Sequence, residues 1–114
     1  MYLGKEAETF IKYIFSKKIP EAREILVATE SIQKFFGAVL DRLLELSFYH
    51  TIKDADILSF FDEETAKDLL SLKPNLEAVI DFLALALTKN PDRNTSVFGD
   101  YILVNLSSLV SKKD

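Results

Sequence analysis

The chain has 114 residues, 48% of them hydrophobic and 28% charged, with a formal net charge of -4 and no cysteine. Its length suits one domain that can bury a core without staples, and its composition is that of a folded protein rather than a disordered one. The lack of cysteine excludes disulfides, thiolate metal sites and a cysteine nucleophile, and fits a reducing, cytoplasmic setting.

The 14 Lys and Arg are scattered, with no block longer than the pairs Lys17-Lys18 and Lys112-Lys113. Proteins that track nucleic-acid phosphates gather positive charge on one surface, so this scatter argues against that role. The opening MYLGKEAETF is charged and has no apolar run of the kind a signal peptide needs. The longest uninterrupted apolar run in the central helix, Phe82 to Leu87, falls far short of the roughly 20 residues of a membrane span, and a soluble protein is expected.

A first helix is predicted from about Gly4 to Lys18, because Ala7, Phe10, Ile11, Ile14 and Phe15 recur at steps of three and four. Lys5, Glu8, Lys12 and Ser16 fill the opposite face, and Pro20 is expected to stop the run. Pro20 also suits the first turn of a following helix, where its missing N–H costs nothing. From Ile25 the apolar positions Ala28, Ile32, Phe35, Phe36, Val39, Leu40, Leu43 and Leu46 stay in helical phase to about Tyr49. Two arrangements remain open for Pro20 to Tyr49: one long helix, or two with a break between Thr29 and Ser31, where no capping box marks the join. Gly37 reads as a close helix crossing.

Ser47 to Asp56 interrupts the pattern, and Asp54 can cap a short helix ahead of Ile57, Leu58, Phe60 and Phe61. Asp62 is placed to cap a helix that buries Ala66, Leu69 and Leu70 and ends at Lys73, before Pro74. Asn75 can cap the next, LEAVIDFLALALTK, in which Glu77, Asp81 and Thr88 share one narrow stripe and leave the rest of the circumference apolar. Such a helix asks to be wrapped by others. The turn chemistry of Asn90 to Asn94 ends it, and Thr95 or Ser96 caps a last helix that is predicted to bury Phe98, Tyr101, Ile102, Leu106, Leu109 and Val110. The expected fold is all-α: a single domain over residues 1–114, a compact bundle of five or six helices around a buried central helix at about 75–89.

Candidate chemistry is sparse. His50 is the sole histidine, and Arg42 stands eight residues before it, about 80° around the same helix. That spacing, with Leu43 after the arginine, departs from the arginine–histidine motif of helical RNA-cleaving HEPN domains. A small helical nuclease is therefore the last of the readings. Acid pairs four apart at Asp41 and Glu45, Glu64 and Asp68, and Glu77 and Asp81 lack the Glu-x-x-His partner of di-metal bundles. No enzyme, cofactor or metal site is expected.

Aromatics point elsewhere. The adjacent pairs Phe35-Phe36, Phe48-Tyr49 and Phe60-Phe61 are not expected to point inward together from one helix, so some should be exposed or covered by a partner. The leading expectation is a protein–protein interaction module or accessory subunit, with a protein partner or a second copy docking near Phe48, Tyr49, Phe60 and Phe61 and the flanks of the last helix. The alternative is a nucleic-acid-associated subunit using Lys12, Lys17, Lys18 and Arg23.

Overall fold

The computed structural model describes residues 3–111. Among them the chain forms six α-helices and one 3-10 turn, with no strand: α1 (Leu3–Phe15), α2 (Ile19–Ala28), α3 (Ile32–Ile52), the turn Ala55–Ile57, α4 (Glu63–Ser71), α5 (Leu76–Lys89) and α6 (Ser96–Leu109). The helices pack on one another as an all-α bundle.

Helix α1 buries Ala7, Phe10, Ile11, Ile14 and Phe15, as their spacing requires. It ends sooner than Pro20 would dictate. Lys17 takes a left-handed φ of 64°, and the amides of Lys17 and Lys18 turn back to the carbonyls of Ile14 and Tyr13 at 3.2 and 2.8 Å. This is a Schellman closure made without glycine. Lys53 and Lys73 adopt the same left-handed backbone after α3 and α4.

Pro20 sits in the first turn of α2, and Pro20 to Tyr49 is two helices rather than one. Ser31 caps α3 by accepting the Lys34 amide at 3.2 Å, with no glutamate to complete a capping box. The break is held from far along the chain. Asn94 accepts from the Ser31 hydroxyl and the Gln33 amide, and the Gln33 side chain donates to the carbonyls of Asn90 and Arg93 at 2.6 and 2.7 Å. The loop between α5 and α6 is thus tied to the start of α3.

The remaining helix starts follow their caps. Asp54 accepts from Asp56, Asp62 from Thr65, Asn75 from Ala78 and Thr95 from Phe98. Each supplies an acceptor to one of the amides that a helix start leaves unpaired.

The core is centred on α3, a correction to the expectation for residues 75–89. Helix α3 packs against α1 and α5 and also touches α4, the 3-10 turn and α6. Helix α5 buries Leu76, Val79, Leu83 and Ala86 against α3 and α6, but Leu85 is 55% exposed, beside the solvent-facing Glu77, Asp81 and Thr88. Its apolar circumference is only partly covered. The wrapped helix is α3, and it buries both Phe35 and Phe36 completely, against the expectation for adjacent aromatics.

Glycine roles also differ from the sequence reading. A methyl group at Gly37 would meet nothing within 4 Å, so no helix crosses there. The close approaches are at Gly4 on α1, where a Cβ would run into the Arg42 guanidinium, and at buried Gly99 on α6, where a Cβ would lie 3.1 Å from Ile32 Cδ1. Gly37→Ala should therefore stabilise the fold by about 0.5–1 kcal/mol, the usual gain for removing an interior helical glycine into open space. A midpoint in chemical denaturation no higher than that of the parent chain would contradict the geometry.

Candidate interaction surface

One buried polar seam runs down α3 through Arg42, Glu45 and Tyr49, spaced by three and four residues and so on one face. Glu45 is 6% exposed, and its carboxylate accepts three successive backbone amides, from Ser59 at 2.7 Å, Phe60 at 2.9 Å and Phe61 at 3.1 Å. Those residues form the strap between the 3-10 turn and α4. One turn earlier, the Arg42 guanidinium lies 4.0 Å from the centre of the Phe60 ring, and its Nε is 3.5 Å from a Glu8 carboxylate oxygen on α1. Its Nη1 donates to the Ala38 carbonyl at 3.1 Å. One turn later, the Tyr49 hydroxyl donates to Glu63 at the start of α4. Burial, then the hydrogen bond to the Glu63 carboxylate and its charge, push the Tyr49 phenol above its usual pKa. The seam is a clasp that fixes the strap and the start of α4 to α3.

The clasp decides where the four aromatic candidates point. Tyr49 and Phe61 are buried, so they belong to the chain's own packing. Phe48 is 50% exposed and Phe60 40% exposed, with Arg42 over the Phe60 ring. Ile52, four residues after Phe48 on α3, is exposed as well. One member of each pair faces out and one faces in.

A second apolar surface lies on α5 and α6. Val97, Tyr101 and Val104, spaced four and three apart, line the outer side of α6 and are 74%, 52% and 62% exposed. Tyr101 is a correction to its expected burial. Its ring leans on Phe82 of α5 at 5.7 Å and on Phe98 at 6.2 Å, which joins this stripe to the outer side of α5, where Leu85 is exposed. Helix α6 carries a single charged residue, Asp100, and that one is engaged by a two-point pair with Arg23 of α2 at 3.0 and 3.1 Å. The hydrogen bond that Arg23 donates to the Asp100 carboxylate, then the charge of Asp100, raise the Arg23 pKa. Surface helices of globular proteins normally carry charge on the solvent side. A stripe at steps of four and three with no Lys, Arg or Glu was the readable signal for this face.

The four cations of the nucleic-acid alternative face different neighbours. Lys12 lies on the α4 side, near Asp62, whose carboxyl is held below its usual pKa chiefly by the hydrogen bond from the Thr65 amide, with the Lys12 charge a smaller cause. Lys17 donates to the Ser107 carbonyl on α6 at 2.7 Å, and Arg23 is engaged by Asp100. Lys18 is exposed at the start of α2.

Arg42 and His50 are not brought together. Eight residues along a helix separate them by about 12 Å of rise. Arg42 is buried against Glu8 and Phe60, whereas His50 is exposed beside Ser47, Lys73, Pro74 and Asn75. No group of three or more His, Cys, Asp or Glu is arranged to hold a metal ion among the described residues. No helix among them is long and apolar enough to cross a membrane.

These features define a small all-α bundle with an internally clasped strap and two exposed apolar areas. Comparison with protein-family models, with curated proteins and with solved structures gives no match to this chain.

Proposed function

We propose that this chain is a small helical interaction module, an accessory subunit that docks on protein through the outer face of α5 and α6. The observation that carries the reading is the stripe Val97, Tyr101 and Val104, which leaves apolar surface in water with no free charge on its helix. Contiguous exposed apolar surface is the usual mark of a docking face, and an aromatic at its centre is the usual anchor. Phe82 and Leu85 extend it onto α5. The expected area around Phe48 and Phe60 is smaller once Tyr49 and Phe61 are taken into the core, and it serves as a secondary contact.

The test is quantitative capture on immobilised protein, comparing the parent chain with Val97→Glu/Val104→Lys. This double variant adds no net charge and changes only exposed positions, and circular dichroism checks that it folds. Proteins retained by the parent should fall at least about tenfold on the variant, since charge placed in an apolar contact must be desolvated. Equal retention, with loss instead on Phe48→Glu/Ile52→Lys, would move the docking face to α3 and overturn the assignment to α6.

A further inference from the structure

We propose that the occupant of this face is a second copy of the chain, docked antiparallel about a two-fold axis that passes beside Leu85. The inference rests on the reading of the α5–α6 face as a docking surface and names its partner. Its basis is the order of charge along α5. Asp81 stands four residues before Leu85 and Lys89 four residues after, all three exposed and running as one ridge at the four-residue step. Neither Asp81 nor Lys89 belongs to an ion pair among the described residues.

A two-fold contact is self-complementary: if one residue of a copy meets a given residue of the other, the reverse contact is made as well. With Leu85 facing its own symmetry mate, each Asp81 lies opposite the Lys89 of the other copy. The charges sit about 6 Å along the helix on either side of the axis, four residues at 1.5 Å each. A parallel arrangement would set like charges against each other, so the charge order selects the antiparallel one. The neighbouring stripe on α6 brings Val97, Tyr101 and Val104 into the same contact without stranding a charge, because Asp100 is already held by Arg23. A contact of this symmetry closes at two copies and does not grow further.

Light scattering and sedimentation of the purified chain across concentration test this, with charge exchange as the decisive step. The parent chain should reach a dimer and no larger species. Lys89→Asp places two acidic pairs across the axis and should weaken the dimer at least about tenfold. Asp81→Lys weakens it likewise, through two basic pairs. The double exchange Asp81→Lys/Lys89→Asp rebuilds both ion pairs in the opposite sense and should return the dissociation constant to within about threefold of the parent. Both positions are exposed, and circular dichroism confirms folding. A parent chain that stays monomeric to about 1 mM overturns the second copy as partner. The docking reading still stands in that case if capture remains sensitive to Val97 and Val104, and both fall if capture is insensitive too. A dimer that ignores the single reversals, or that the double exchange fails to restore, overturns the two-fold contact at Leu85.

Discussion

Phe10→Ala should lower the stability of the fold by about 4 kcal/mol, the largest loss expected from any single truncation in this chain. The Phe10 side chain is fully buried, and its ring stands edge-on to Phe35 at 5.2 Å and to Phe36 at 5.6 Å. Those two rings are themselves 5.4 Å apart and near perpendicular, so three aromatics close one mutual cluster between α1 and α3. Truncation removes the transfer free energy of the ring and two edge-to-face contacts worth about 0.5–1.5 kcal/mol each, and leaves a cavity that two helices cannot close without moving other buried side chains. Small domains have about 5–15 kcal/mol in all, so the variant should keep only a fraction of its folded population under mild denaturant. Urea unfolding followed by circular dichroism gives the value. Phe10→Leu should recover more than half of the loss, since it refills most of the volume. A cost below about 1 kcal/mol for the alanine variant would mean that the three rings are not close-packed.

The same cluster shows what could be read in advance and what could not. Helix α1 was legible because its buried residues form one strip at steps of three and four, and the start of each helix from Asp54 onward was legible because a short polar side chain stood at the right place. The burial of both Phe35 and Phe36 was not. Adjacent residues diverge by 100° on a helix, but α3 is covered by α1 and α5 together, and its buried arc is wide enough to take both. Covering depends on how many neighbours a helix has, and periodicity alone does not count them.

The centre of the bundle was misread for the converse reason. The apolar surface of α5 says that the helix needs cover, not that its own chain supplies it, and Leu85 is the part left open. The ends of α1 and α3 were hidden because Lys17 and Lys53 take the left-handed turn that glycine usually signals, whereas Pro74 marked the end of α4. Of the site, the α6 stripe was partly legible as the flanks of the last helix. The Arg42–Glu45–Tyr49 clasp was not, since the partners of Glu45 are backbone amides, which leave no trace in residue types.

Glu45→Ala should cost about 3 kcal/mol, with its effect concentrated in one segment. The carboxylate accepts three amides in succession, and a buried amide left without an acceptor costs about 1–3 kcal/mol. Ser59 and Phe60 are exposed residues whose amides can turn to water, so most of the loss comes from the Phe61 amide and from the packing that the strap holds in place. Amide exchange at residues 59–61 should accelerate more than exchange in α1 or α5, a pattern of local opening that a uniform loss of stability would not produce. Glu45→Gln keeps the shape and one carbonyl oxygen and should lose about half as much. If Ser59 to Phe61 exchanged no faster in Glu45→Ala than the core helices do, the clasp would not be what holds the strap. The Phe60 ring should leave the Arg42 guanidinium as the strap opens, because the clasp and the cation–π contact act on the same loop. The stripe on α6 lies on elements that Glu45 does not touch, so the assembly proposed through α5 and α6 should persist in the folded fraction of this variant. Loss of the strap without loss of assembly would separate the part of the chain that holds the fold together from the part that docks.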